Sequence, residues 1–114
     1  MVAMLILASQ SKTRKALLEQ AGLEFSTAPA VIDERALETT AVAAGGDGRD
    51  VALLLARHKA EAVARSHPGA FVIGADQTLS LGTELLHKPA DRADAVAQLD
   101  HLRGKTHRLH AGVT

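Results

Sequence analysis

The stretch LILASQSKTR, residues Leu5–Arg14, decides the fold, because an apolar segment runs directly into a serine-containing turn and then into a basic helix start. We predict a buried strand over Met4–Ala8, a turn at Ser9–Ser11, and a helix whose N-cap is Ser11. The bare N–H groups and positive dipole end of that helix favour an anion. Arg14, one turn into the helix, can grip a phosphate oxygen in two places. Taken alone, the stretch fits a phosphate site and an ordinary capped helix equally well.

The composition narrows the classes of function. The chain has 114 residues, 46% of them hydrophobic, which is enough to bury the core of one domain. Lys plus Arg equals Asp plus Glu at 13 each, so nothing suggests a nucleic-acid partner. The absence of cysteine excludes disulfides and a thiol nucleophile, and it favours a cytoplasmic location. No apolar run approaches the length of a membrane span, so no membrane partner is expected.

A second apolar run resembles the first in how it ends. Phe71–Ala75 is typical of a central strand buried on both faces, and Asp76 follows at its carboxyl end. Ligands of open α/β sheets bind at the carboxyl ends of strands. We therefore predict an α/β fold with a mixed, twisted sheet and flanking helices, and a cleft where Met4–Ala8 and Phe71–Ala75 end. A capping or turn role for Asp76 remains an alternative.

The clearest helix is predicted over Val51–Ser66, with Asp50 as its N-cap. Lys59 lies at the edge of its apolar stripe, where a snorkelling side chain and a functional one are both reasonable. The Gly-rich segment Gly45–Gly48 before it is expected to be a mobile loop. The residues predicted to form the apolar stripe are Val51, Leu54, Leu55, His58 and Ala62.

Other elements follow from capping residues and periodicity. The helix after Ser11 should end at Gly22, a hairpin should turn at Gly82, and Asp91 should cap a helix to about Leu102. The alternation in Thr106–Val113 predicts a strand. The apolar residues expected to face inward are Leu17, Leu18 and Ala21 in the first helix and Val96, Leu99 and Leu102 in the last; Leu109, Ala111 and Val113 should share one face of the strand.

Seven polar residues together suggest one chemistry. Each has an ordinary explanation, and Glu34 in particular can belong to a solvated turn or to the start of a helix. As a set they supply cations for a polyphosphate, oxygen ligands for a divalent metal and a carboxylate that can activate water. The seven are Ser9, Ser11, Arg14, Glu34, Lys59, Asp76 and Lys88.

Six short motifs in order resemble those of the Maf proteins, a family of house-cleaning nucleoside triphosphate pyrophosphatases related in fold to the inosine triphosphate pyrophosphatases. The resemblance spans essentially the whole chain. The motifs are LASQSKTRKALL (Leu7–Leu18), IDE (Ile32–Glu34), ARHKA (Ala56–Ala60), VIGADQT (Val72–Thr78), KP (Lys88–Pro89) and LRGKTH (Leu102–His107).

The resemblance implies hydrolysis between the α and β phosphates of a nucleoside triphosphate, which releases a monophosphate and pyrophosphate. It implies that Glu34 helps to hold Mg²⁺ or Mn²⁺, and that Asp76 is the general base or a metal ligand. The phosphate-binding residues that it implies are Ser9, Ser11, Arg14, Lys59 and Lys88.

The motifs also differ from the family pattern in places that bear on the substrate. Gln77 after Asp76 resembles the branch that acts on 7-methyl-GTP, whereas Thr13 fits neither branch. Lys12 stands where the family often has Pro, and Arg103 where it usually has Ser.

The length bears on activity. Residues 1–114 are expected to form a single Maf-like domain without the family's C-terminal portion, which leaves apolar surface exposed and favours self-association, for example as a homodimer. Two alternatives stay open. The chain could be a catalytically impaired nucleotide-binding remnant or assembly module, or a structural α/β domain without a ligand.

Overall fold

The computed structural model describes residues 4–114. In this part of the chain, two strands alternate with the first two helices, a third helix and three consecutive strands follow, and the last helix precedes the final strand. The strands are β1 (Leu5–Leu7), β2 (Ser26–Thr27), β3 (Phe71–Ile73), β4 (Ala75–Leu81), β5 (Glu84–Leu86) and β6 (Arg108–Val113). The helices are α1 (Lys12–Gln20), α2 (Glu34–Ala43), α3 (Gly48–Ala64) and α4 (Arg92–Leu102).

The apolar stretch that opens the chain forms the centre of a parallel sheet. β1 pairs in parallel with β2 on one side and β3 on the other, and Ile6, Leu7 and Ala8 are almost completely buried. The strand predicted over Met4–Ala8 is therefore present. β3 is an edge strand and Phe71 is exposed, so the prediction that Phe71–Ala75 is a central strand buried on both faces is wrong.

A second, antiparallel sheet has the order β5-β4-β6. Gly74 alone separates β3 from β4, and it exchanges backbone hydrogen bonds of 2.8 and 2.9 Å with Thr114, so the pairing of β4 with β6 extends back to this glycine. Asp76 is the second residue of β4. Asp76 does follow the carboxyl end of β3, but it lies within the next strand and not in a turn, because the chain passes directly from one sheet into the other.

Helix α3 packs against both sheets through small side chains. It begins three residues earlier than predicted, since Asp47 is the N-cap and forms a reciprocal capping box with Asp50. Gly48 is therefore the buried first residue of α3, and the predicted loop is shorter than expected. Its inward face is rotated relative to the predicted stripe, and the buried residues are Gly48, Val51, Ala52, Leu55, Ala56, Ala60 and Val63.

Two glycines allow this close approach of α3. A Cβ atom added to Gly112 would lie 2.6 Å from the Ala52 carbonyl oxygen, and one added to Gly74 would collide with the Ala56 carbonyl oxygen and with Ala60. Backbone therefore packs on backbone here. The short distance brings the side chains of α3 and β4 into direct contact.

The opposite face of the antiparallel sheet is open. Gln77, Leu79 and Leu109 lie on it, because the residues between them in β4 and β6 point toward α3. The predicted shared face of Leu109, Ala111 and Val113 is present, but it is exposed.

Apolar residues of α1 and α4 are also more exposed than predicted. The expectation that these helices bury an apolar stripe is wrong, since neither contains a buried residue. The large exposed residues at these positions are Leu17, Val96 and Leu99.

The class of fold is confirmed as α/β, with parallel and antiparallel sheets flanked by helices. None of the helices between residues 4 and 114 is long and apolar enough to cross a membrane.

Candidate functional site

The turn between β1 and α1 presents a prearranged set of donors. The Ser11 side chain caps α1 by accepting the Arg14 N–H at 3.2 Å. The Ser9 hydroxyl oxygen accepts the Ser11 N–H at 3.1 Å and a guanidinium N–H of Arg14 at 3.4 Å. Because this oxygen already accepts twice, the Ser9 hydroxyl hydrogen is available to donate. Hydroxyl, guanidinium and helix N-terminus therefore combine into a site suited to a phosphate.

A carboxylate–ammonium–carboxylate cluster lies in the same part of the molecule. The Lys59 Nζ atom of α3 is 2.7 Å from Glu34 Oε1 and 2.9 Å from Asp76 Oδ1. Glu34 is the first residue of α2, which Asp33 caps, so the structure selects the helix-start alternative for this residue. The side chains of Lys59 and Asp76 are 14% and 12% exposed, whereas that of Glu34 is about half exposed. Lys59 is thus fixed by two ion pairs and is not a snorkelling surface lysine.

The environment of Lys59 keeps its amine protonated. Burial acts to lower the pKa of Lys59, but hydrogen bonds and charge interactions with Glu34 and Asp76 outweigh it and raise this pKa above its ordinary value. The cluster therefore contains a permanent positive charge between two carboxylates at neutral pH.

Contacts with α2 and α4 hold the segment after β5 in place. The His87 ring lies against Glu38 of α2, with Nε2 at 2.7 Å from Oε1, and the Gln98 side chain of α4 donates to the His87 carbonyl at 2.8 Å. These contacts position the neighbouring Lys88. The sequence alone did not predict that Glu38 and Gln98 contact His87. The one sequence signal was the position of Glu38, one helical turn after Glu34 and so on the same face of α2.

An open cavity of about 980 Å³ brings these groups together. It opens beside the carboxyl ends of β1 and β3, where a cleft was predicted, and Leu7 and Ile73 contribute to its wall. Ser9 lies just behind the surface, nearly buried. The predicted site residues that line the cavity are Ser11, Arg14, Glu34, Lys59, Asp76 and Lys88.

The residues present fit a divalent cation held together with a substrate. Among residues 4–114, no group of three or more histidine, aspartate or glutamate side chains converges on one point. Glu34 and Asp76 do converge, since both contact the same ammonium group. Mg²⁺ commonly takes one or two carboxylates and completes its shell with phosphate oxygens and water. A pair of carboxylates in the same cavity as a turn suited to phosphate fits that arrangement.

Fold and cavity together define an α/β protein whose cleft is suited to a polyphosphate and a divalent cation. The family model described as Maf-like protein matches residues 4–114. The chain therefore belongs to the Maf family.

Curated relatives from bacteria carry names that describe nucleotide chemistry. The 7-methyl-GTP pyrophosphatase of Brucella abortus biovar 1 (strain 9-941) is 53% identical over 113 residues, which cover 99% of this chain and 57% of the relative. The nucleoside triphosphate pyrophosphatase of Bradyrhizobium diazoefficiens is 56% identical over 109 residues, or 96% of this chain and 53% of the relative. The chain thus spans about half the length of these relatives.

Proposed function

We propose that this protein is a metal-dependent nucleoside triphosphate pyrophosphatase, which cleaves the bond between the α and β phosphates and releases a monophosphate and pyrophosphate. The observation that carries the proposal is the presence of an anion-binding turn and a carboxylate pair in one cavity. The names of relatives at 53% and 56% identity support the same reaction.

The hydroxyl and positively charged side chains bind the phosphates. Ser9, Ser11 and Arg14 bind phosphate oxygens at the N-terminus of α1, and Lys88 adds a further cation that lines the cavity. These fixed donors stabilise the negative charge that moves onto the departing pyrophosphate.

The carboxylates act on the attacking water and hold the metal. The Asp76 carboxylate has two oxygens, so one can help to hold the metal while the other accepts a proton from water that attacks the α phosphorus. Glu34 and Asp76 would hold Mg²⁺ or Mn²⁺, which supplies charge neutralisation to the phosphates when bound.

The names of the relatives and a residue of strand β4 indicate the class of substrate. Several relatives are named 7-methyl-GTP pyrophosphatase, and Gln77 lines the cavity next to Asp76. We infer a methylated guanine nucleotide as the preferred substrate class.

Location and assembly are further parts of the proposal. The lack of cysteine supports a cytoplasmic protein. The exposed apolar face of β6 supports a homodimer.

A second candidate function is nucleotide binding without turnover, as in a remnant or an assembly module. It is supported by the turn between β1 and α1, whose donors are suited to a phosphate whether or not turnover follows. It predicts saturable nucleotide binding with no release of pyrophosphate.

The test is incubation with a panel of nucleoside triphosphates, 7-methyl-GTP included, in the presence of Mg²⁺ or Mn²⁺. We expect equimolar monophosphate and pyrophosphate, and we expect Asp76→Asn to lower kcat at least about a hundredfold because the general base is lost. Asp100→Asn is the matched control, since Asp100 lies exposed on α4 outside the cavity. Release of orthophosphate with a diphosphate product contradicts the proposal, and binding without any product favours the second candidate.

A further inference from the structure

Lys59 occupies the position between the two carboxylates that a metal ion needs. We propose that Lys59 is a built-in counter-ion of the metal-free cleft, which a divalent cation displaces from Glu34 and Asp76, and that the displaced ammonium group then binds the substrate phosphates. The inference rests on the proposed function, because it concerns the same cavity.

The distances show why lysine and metal compete. The Lys59 ammonium group donates a hydrogen bond to Asp76 at 2.9 Å and forms an ion pair with Glu34 at 2.7 Å. A divalent cation that takes the same oxygens would stand within a few ångströms of a positive charge, and the two would repel strongly in a site shielded from water. Metal and ammonium group therefore cannot share the carboxylates.

Without a metal ion, the two carboxylates need the positive charge of the lysine. Two carboxylates that converge on one point repel each other unless a cation lies between them. Asp76 is only 12% exposed, so water screens its charge poorly. Lys59 thus holds Glu34 and Asp76 in the position that the metal later uses.

Lysine is suited to this movement and the arginine in the same cavity is not. The Lys59 ammonium group is a compact charge on a flexible stem, which can swing without a change in the backbone. The Arg14 guanidinium is held against Ser9 beside the helix start. Lys59 lines the same cavity as Ser11 and Arg14, so the displaced amine stays in the space where the phosphates would lie.

The first measurement is Mn²⁺ affinity, by titration calorimetry and by the electron paramagnetic resonance signal of free Mn²⁺. Lys59→Met keeps the length of the stem and removes the competing charge, so we expect Mn²⁺ to bind at least roughly tenfold more tightly. Lys88→Met is the matched control, because it removes a charge from the same cavity but from the segment after β5. We expect the control to change Mn²⁺ affinity less than about threefold.

The second measurement is the affinity for pyrophosphate with and without Mn²⁺. Because Lys59 is available to phosphate only after the metal has displaced it, Lys59→Met should weaken pyrophosphate binding several-fold with Mn²⁺ present and little without it. Mn²⁺ and pyrophosphate associate equally in every sample, so the comparison between variants isolates the lysine.

The outcomes separate this proposal from the proposed function. One outcome overturns the displacement alone: wild type binds Mn²⁺, Asp76→Asn abolishes this binding, and Lys59→Met binds Mn²⁺ no more tightly than wild type. The proposed metal site is then still supported. Two outcomes overturn the metal site and the displacement together. In the first, neither Asp76→Asn nor Glu34→Gln changes Mn²⁺ binding. In the second, neither wild type nor Lys59→Met binds Mn²⁺. If Lys59→Met fails to fold, Lys59→Gln takes its place with the same expectations.

Discussion

Lys59 shows how the meaning of one residue depends on partners far away in the sequence. Lys59 and Asp76 are 17 positions apart in the sequence, and the two side chains are nevertheless in direct contact. Its pKa is raised above the ordinary value of 10.5 by these acidic partners, despite the opposing effect of burial. Its contribution to the free energy of unfolding must therefore depend on pH.

The sign of that dependence follows from the raised pKa. The stability that Lys59 contributes is fully present below its unfolded value of 10.5, and it is lost as the pH rises through the higher folded-state pKa. We expect the difference in unfolding free energy between wild type and Lys59→Met to shrink from about pH 8 to about pH 11.5 in urea titrations. Lys15→Met is the control, since Lys15 makes only an exposed pair with Glu19. A difference that stays constant over this range contradicts the prediction.

The sequence indicated candidate site residues but not the contacts between them. The motifs indicated Arg14, Glu34 and Lys59 because phosphate and metal chemistry requires those residue types. The ion pairs between α2, α3 and β4 could not be predicted, since they depend on how these elements pack. Glu38 was missed for the same reason, because only the fold brings it to His87.

For helix α3, the sequence pattern predicted that a helix is present but not its first residue or its buried face. Asp47 and Asp50 are equally good N-cap residues, and the structure uses both in one reciprocal box, so the helix begins at Gly48. The predicted stripe favoured large residues such as Leu54. The observed inward face instead includes Ala52 and other small residues, because the glycines of the sheet admit only small neighbours.

The contact between α3 and β6 can be tested by a single methyl group. Gly112→Ala places a Cβ atom 2.6 Å from the Ala52 carbonyl oxygen, so α3 must move away from the sheet. We expect a loss of about 2 kcal/mol in unfolding free energy, measured by urea or thermal unfolding. Ala111→Ser, the neighbouring position on the exposed face, should change it by less than about 0.5 kcal/mol. Equal stability of the two variants would show that the close approach is unimportant.

The whole molecule is extended for its length. Its radius of gyration is 15.8 Å, against roughly 13 Å for a compact domain of about this size. The molecule measures 53 × 33 × 22 Å along its principal axes, and one face of the antiparallel sheet and leucines of α1 and α4 are exposed. The sequence predicted which strand residues share a face but not that this face is uncovered, because periodicity reports orientation and not burial.

This open face should make the protein associate with itself. Leu109 is 60% exposed on β6, and Leu109→Lys should lower the mass measured by light scattering at high concentration and reduce the binding of a hydrophobic dye. Leu53→Lys is the control, since Leu53 is a partly exposed leucine of helix α3. A monomeric wild type, or an equal effect of both variants, contradicts the prediction.

The missing side chain at Gly112 also has a consequence for strand register. A slip of β6 by one residue would turn Ala111 or Val113 toward α3 and bring a side chain against the Ala52 carbonyl, so only one alignment with β4 avoids a collision. In that alignment Gly112 lies opposite Asp76. The residue that fixes the alignment is therefore the cross-strand neighbour of the carboxylate that must reach Lys59. A single absent methyl group thus fixes which residues of β4 and β6 lie opposite each other, at the position next to Asp76.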